Sequence, residues 1–160
     1  GLPRLGREGP DAAVLDPVVR GLVLVQYGIN RADGTTMSLI HAFGHGLTAH
    51  GDLQQGTAHG VVAPHALRYL FERVDGRRDL LAEALGVGDA ADPAEAVVGA
   101  GVAVRDALGL PSRLRDVDAP DPEEFDAVAR YVQGDAFLAN APAGLDPTVA
   151  ELEAVLRAAH

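Results

Sequence analysis

The stretch HAFGHGLTAHGDLQQGTAHGVVAPH, residues 41–65, holds five of the six histidines of this 160-residue sequence. Histidine is a common neutral metal ligand and the usual acid or base near pH 7. His41 and His45 are four residues apart, so on a helix they lie on one face, one turn from each other. That spacing can hold one metal ion, or place one ligand beside one proton carrier. A zinc protease helix has a glutamate directly after its first histidine, and Ala42 in that place argues against this class.

The charge and composition exclude several other classes of protein. The chain has 23 acidic and 13 basic residues, a net charge of -10, and a field of that sign repels nucleic acid. It has no cysteine, which excludes disulfides, thiolate nucleophiles and cysteine metal sites. Every basic residue is arginine, a composition that both a halophilic protein and a high-GC genome produce. No run approaches the roughly 20 apolar residues of a membrane span, and no signal peptide is evident, so we expect a cytoplasmic protein without a membrane partner.

Helix-start and helix-stop signals divide the chain into about seven helices without strands, which predicts an all-α fold. Asp followed by Pro, an N-cap and a first helical residue, occurs at positions 16, 92, 121 and 146. The run VVRGLVLVQYGI after Pro17 is apolar almost all round, which predicts a buried helix. Residues 28–34 predict a loop. Residues 1–13 are polar and begin without methionine, so they predict the irregular start of a truncated chain, and residues 14–160 predict a single helical domain.

The run HAFGHGLTAHGDLQQGTAHGVVAPHALRYL resembles the helical C-terminal domain of the iron-containing (group III) alcohol dehydrogenases. That family includes maleylacetate reductase and glycerol dehydrogenase, and it shares its fold with dehydroquinate synthase. His41, His45, Leu47, Gly56 and the Pro-His pair at residues 64–65 keep the family's frame without a gap. The segments GLPSRLRDV and NAPAGLDPTVAELEAVLRAA are similar to later parts of the family pattern, so the resemblance covers most of residues 14–159.

The resemblance implies an oxidoreductase of two domains, an NAD(P)-dependent, metal-assisted alcohol dehydrogenase or reductase. Its N-terminal α/β domain binds the dinucleotide, and its helical domain binds Fe2+ or Zn2+, which polarises the substrate oxygen. The 160 residues contain no Gly-rich phosphate loop after a strand. We therefore expect the dinucleotide-binding domain to be a missing partner and the chain alone to be inactive. A small alcohol or carbonyl compound is the expected substrate, and a homo-oligomer is a further expected arrangement.

The same resemblance implies roles for individual residues. His41 corresponds to a metal ligand, and His45 corresponds to the catalytic histidine that lines the substrate cleft and relays protons. Gln55 stands where the family has its last histidine ligand, so it is a weak ligand or the mark of a site that has lost its metal. His59 matches a histidine of the maleylacetate reductase branch and is a secondary metal candidate. The family's other two ligands, an Asp and a His, belong further before His41 than the 40 residues that precede it here.

Two other function classes remain open at this point. In the first, the protein is a metal-free relative of the family that acts as a helical interaction module. In the second, it is a small stand-alone protein that binds a metal through His41, His45 and His50 or His59. At the end of its helix, His50 is interpreted as structural, because a cation there suits the helix dipole. His65 is expected to form a hydrogen bond in the core.

Overall fold

The computed structural model describes residues 1–31 and 34–160, with their side chains except at positions 30–35. Eight α-helices within these residues confirm the predicted all-α class. Two-residue strands β1 (Asn30–Arg31) and β2 (Gly34–Thr35) form one antiparallel pair. The predicted loop at 28–34 includes residues 32 and 33, which lie outside the described residues. The helices are α1 (Leu2–Glu8), α2 (Ala12–Ile29), α3 (Leu39–His50), α4 (Gln55–Arg73), α5 (Arg78–Ala84), α6 (Pro93–Ala107), α7 (Phe125–Gly134) and α8 (Val149–Ala159).

Helices α3, α4, α7 and α8 surround the main core, where Phe43, Leu47, Phe125 and Leu152 have no exposed surface. A smaller apolar cluster joins α4, α5 and α6. Helices α3 and α7 approach closely at Gly46, since a Cβ there would lie 2.7 Å from a methyl group of α7. The core therefore holds α3, the helix of the first two histidines, mainly against α4 and α7.

Not all of the predicted Asp-Pro starts begin a helix. Asp92 does cap α6, because its carboxylate accepts the Glu95 N–H at 3.1 Å. The start predicted at Asp16 is wrong, since α2 begins four residues earlier and Pro17 lies inside it. Asp11 caps α2 instead, by accepting the Val14 N–H at 2.9 Å. Pro17 is the sixth residue of α2, beyond the first four N–H groups that lack an intrahelical partner, so it removes one hydrogen bond of the helix.

The N-terminal residues also differ from the prediction. The irregular segment expected at residues 1–13 contains the helix α1, which packs against α6. Gly6 makes this contact, because a Cβ there would clash with the carbonyl oxygen of Ala107. A seven-residue helix is only marginally stable by itself. Its contact with α6 therefore supplies stability that the local sequence does not predict.

Helix α2 is not the buried helix that its composition predicted. Val14 and Val18 are buried, but Leu22, Leu24 and Tyr27 are 53%, 69% and 82% exposed. Its contacts are mainly with α1 and β1, so no other layer covers its second half. At 18 residues, with a mean hydropathy of 1.4, α2 also has the length and composition of a membrane span, which corrects the expectation that no run approaches one. One such helix near an N-terminus is weak evidence, because core helices and signal sequences share these properties.

Candidate functional site

Helix α3 buries one face in the core and presents its histidines on another. Phe43 and Leu47 are fully buried, whereas His41 and His45 are partly exposed. The two histidines lie one turn apart in the same helix, as their spacing predicted. The burial of Phe43, between them in sequence, therefore fixes the rotation of α3 and so the face on which the two histidines lie.

Aromatic contacts join His41 and His45 to two other elements. The ring of His59, from α4, lies 4.7 Å from that of His41, with the ring planes tilted by 60°. Phe137 lies in a 3₁₀-helix at Ala136–Asn140, with its ring 6.0 Å from His41 and 5.1 Å from His45. We call His41, His45, His59 and Phe137 the histidine cluster.

Gly44 allows α4 to approach α3 at this cluster. A Cβ at Gly44 would clash with Nε2 of His59 and would lie 3.3 Å from Cγ of Gln55. The Nε2 atom of His59 is buried there, and it has no hydrogen-bond partner in the described part of the chain. The glycine thus brings Gln55 and His59 to the helix of His41, so all four predicted site residues meet in one region.

A carboxylate that the sequence analysis missed holds His45. Its Nδ1 lies 2.8 Å from Oδ2 of Asp135, whose side chain is 9% exposed. The other oxygen of Asp135 accepts the Phe137 N–H at 2.8 Å, so the carboxylate is held on both sides. A carboxylate at Nδ1 favours the proton on that nitrogen and leaves Nε2 as the proton acceptor. The one sequence signal for Asp135 is its place directly after Gly134, the last residue of α7.

Electrostatics keep the other two imidazoles neutral. Burial, and then the charges of His41 and His45, lower the pKa of His59 to about 4. Burial, and then the charge of His45, lower the pKa of His41. At neutral pH His41 and His59 therefore offer uncharged nitrogen atoms, which accept protons or bind metals.

The low pKa of His59 predicts that the chain loses stability in mild acid. Its ordinary value is 6.5 and its value in the folded chain is about 4, so between these values the unfolded chain binds more protons. The stability present above pH 6.5 is then lost as the pH falls toward 4, by up to about 1.4 kcal/mol per pH unit. Urea unfolding across this range measures the slope. We expect His59→Gln to flatten it and Gln55→Ala, on the same helix, to leave it unchanged; equal slopes in all three proteins would contradict the assignment.

The residues of this chain do not fit a metal ion by themselves. The described residues contain no group of three or more His, Asp or Glu side chains that could hold one. Asp135 engages Nδ1 of His45, and Nε2 of His59 faces Gly44. Gln55 is exposed and offers a neutral oxygen, a poor substitute for imidazole. The structure thus brings no stand-alone histidine metal site together in its described part.

A cavity of about 430 Å³ opens beside His41, between α2, α3 and α4. Val25 and Ile29 of α2, Leu70 of α4 and Pro142 make its wall largely apolar. Apolar cavities of this size, with a few polar groups at one side, are typical of sites for small organic molecules.

The remaining histidines lie outside the cluster. His50 is the last residue of α3; its Nδ1–H donates to the Gly46 carbonyl at 2.9 Å, and its ring stands edge-on to Tyr131. This matches its structural interpretation. The core hydrogen bond expected for His65 is not found among the described residues. Instead its ring is half-buried in the wall of a cavity, beside Arg68 and Arg105. His65 lies on the side of α4 that faces α6 and α8.

Comparisons with known proteins agree with this architecture. Residues 2–160 match the family described as the Fe-containing alcohol dehydrogenase family, C-terminal. No curated protein matches the sequence. The crystal structure of a 1,3-propanediol oxidoreductase superposes with a TM-score of 0.65 at 23% identity, which shows the fold. The match covers 77% of this chain and 32% of that one, so the chain spans about a third of that enzyme's length.

Proposed function

The chain belongs to the Fe-containing alcohol dehydrogenase family, whose C-terminal region it matches, and from this we propose that it is the substrate-side domain of an NAD(P)-dependent alcohol dehydrogenase or reductase. The observation that carries the proposal is the pair of His45 and Asp135, 2.8 Å apart. It gives an oriented imidazole one helical turn from His41, and His41 lines the apolar cavity. Such a base is what the oxidation of an alcohol to a carbonyl compound requires.

In this proposal His45 carries the substrate's proton. Oxidation of an alcohol removes a hydride from carbon and a proton from oxygen, and a nicotinamide dinucleotide takes the hydride. Nε2 of His45 accepts the proton, and in the reverse reaction it returns the proton to the carbonyl oxygen. Asp135 holds the ring in place and stabilises the imidazolium that forms. Phe137 contacts the ring of His45 and limits the directions in which that ring can turn.

The proposed reaction assigns no step to a metal ion, because the residues of this chain do not complete a metal-binding site. His41 is the residue that we propose as a ligand in the complete protein, to Fe2+ or Zn2+, with further ligands from outside this chain. The dinucleotide likewise finds no phosphate-binding loop in these 160 residues. Both groups therefore depend on another part of the protein.

The exposed face of α2 supports the proposal of a further domain. Leu22, Leu24 and Tyr27 each leave more than half of their surface in solvent. Burial of apolar surface contributes about 25 cal/mol per Å², so a neighbouring layer on this face would be strongly favourable. The same helix lines the cavity beside His41, which supports a position for such a domain next to the site. We propose that it is the dinucleotide-binding domain and that the assembled protein is cytoplasmic.

The substitution at Gln55 favours a second candidate, a metal-free relative that acts as a helical interaction module. Gln55 stands at a family ligand position and reaches the cluster through Gly44, yet its amide is a poor ligand for iron or zinc. In this case the exposed face of α2 is the binding surface and the histidine cluster is a remnant.

The deciding experiment compares the full-length protein with residues 1–160 alone. We expect the full-length protein, supplied with Fe2+ or Zn2+, to reduce NAD+ or NADP+ in the presence of an alcohol. The 160 residues alone should show no such activity, because they lack a dinucleotide site. Activity of the short chain would contradict the two-domain proposal. A full-length protein that binds the dinucleotide but stays inactive with a panel of alcohols and carbonyl compounds would favour the interaction module.

A further inference from the structure

A second cavity, of about 470 Å³, lies between α4, α6 and the end of α8. It shares no lining residue with the cavity beside His41. Its volume is in the range of cavities that bind small molecules. The polar side chains that line it are His65, Arg68, Arg105, Ser112, Arg113 and His160.

The lining concentrates positive charge in an acidic protein. Three of the 13 arginines line this one cavity, although the chain has a net charge of -10. Arg113 is exposed and makes no ion pair within the described residues. An anion that enters the cavity thus meets at least one uncompensated guanidinium group.

The other two arginines have acidic neighbours on the outer surface. Arg68 donates to both carboxylate oxygens of Glu95, at 2.9 and 3.3 Å, and Arg105 donates to Asp106 at 2.8 and 2.9 Å. The side chains of Glu95 and Asp106 are 55% and 57% exposed, so solvent screens both pairs. Arg105 itself is 12% exposed. The cavity wall therefore includes a guanidinium group that is already held in place and largely removed from water.

The direction of the pKa shift of His65 indicates a positive electrostatic potential inside the cavity. Burial lowers its pKa first, and the charges of Arg68 and then Arg105 lower it further. Both arginine charges therefore act at the ring despite their acidic neighbours. A neutral imidazole still supplies one N–H donor, and Ser112 supplies a hydroxyl group.

We propose that this cavity binds a small phosphate-bearing molecule. The planar guanidinium group presents paired N–H donors that match the oxygens of a phosphate, and such charge-assisted hydrogen bonds are about twice as strong as neutral ones. A second or third negative charge on the ligand strengthens the contact with several arginines at once. The long-range field of the chain repels a polyanion such as nucleic acid, so the ligand is a compact anion that reaches the local positive charge.

The test uses the full-length protein, with inorganic phosphate, pyrophosphate, glycerol phosphate and citrate as calorimetric probes at low ionic strength. We expect the phosphate-bearing probes to bind, and Arg113→Gln to weaken them about tenfold, or about 1.4 kcal/mol. Arg105→Gln should weaken them as well. Arg130→Gln is the matched control, because Arg130 lies on α7 and pairs with Asp126 outside this cavity. It should bind like the wild type.

Three binding results would each overturn the proposal: no binding of pyrophosphate at millimolar concentration, equal affinity in Arg113→Gln and wild type, or citrate binding as tightly as the phosphate-bearing probes. Citrate binding of that strength would indicate a general anion site and not a phosphate site. Alcohol oxidation should be unchanged in Arg113→Gln, which separates this cavity from a dinucleotide site next to His45. If Arg113→Gln lost as much activity as phosphate affinity, Arg113 would belong to the catalytic site. That result would also overturn the proposal.

Discussion

Replacement of His45 by alanine in the full-length protein is expected to lower kcat for alcohol oxidation by about 10²- to 10⁴-fold. The reason is that, in the proposed mechanism, Nε2 of His45 accepts the substrate's proton while Asp135 holds Nδ1 at 2.8 Å. Steady-state kinetics measured with the dinucleotide saturating separates this loss from weaker cofactor binding. His50→Gln is the matched control, because that histidine lies in the same helix but bonds the Gly46 carbonyl.

Replacement of Asp135 by alanine separates positioning from proton transfer. The variant keeps the imidazole of His45 but loses the carboxylate that orients it at Nδ1, so we expect a smaller loss in kcat, of about 10- to 100-fold. The nitrogen NMR shifts of His45 should show its proton shared between Nδ1 and Nε2 in the variant and held on Nδ1 in the wild type. A His45→Ala variant that retained wild-type kcat, or an Asp135→Ala variant with an unchanged tautomer, would refute these roles.

Replacement of Phe43 by alanine is expected to reduce the free energy of unfolding by about 3–5 kcal/mol. Phe43 is fully buried in the main core, and it lies between His41 and His45 on the buried face of α3. Small domains have about 5–15 kcal/mol of stability, so this loss is a large share of the total. Urea unfolding of residues 1–160, followed by circular dichroism, measures the change.

The control for Phe43 is Leu24→Ala on α2. Leu24 is also a large apolar residue in a helix, but it is 69% exposed, so the change in the 160-residue chain should be within about 0.5 kcal/mol. In the full-length protein the same substitution should cost more, because the proposed dinucleotide-binding domain covers α2. A Phe43→Ala chain as stable as the wild type would contradict the core assignment. Equal, small effects of Leu24→Ala in both proteins would argue against that domain interface.

Local sequence determined the parts of the site that lie on one helix. The spacing of His41 and His45 places them one turn apart. The apolar residues Phe43 and Leu47 lie on another face of the same helix, which is buried in the core. Helix caps act within three or four residues, so the start of α6 at Asp92 was predictable. At Asp16 the same pattern misled, because Asp11 offered an earlier cap.

The partners of the histidines were not predictable in the same way. Asp135 is 90 residues from His45 along the chain, and the packing of α3 against α7 brings the two together. Gly44 looks in sequence like a weak point in a helix, whereas in the fold it is the place where His59 and Gln55 reach α3. The low pKa of His59 follows from that burial, and no property of its neighbours in sequence indicates it.

By itself, the sequence determined the helical class, the family frame around residues 41–65 and the face of α3 that carries the histidines. These depend on backbone hydrogen bonds and side-chain periodicity, which operate over a few residues. Only the tertiary structure decided that Asp135 orients His45, that three arginines line one cavity, and that α2 stays exposed. Burial and pairing depend on which elements meet in space, and an apolar helix such as α2 has the same sequence pattern whether or not another layer covers it.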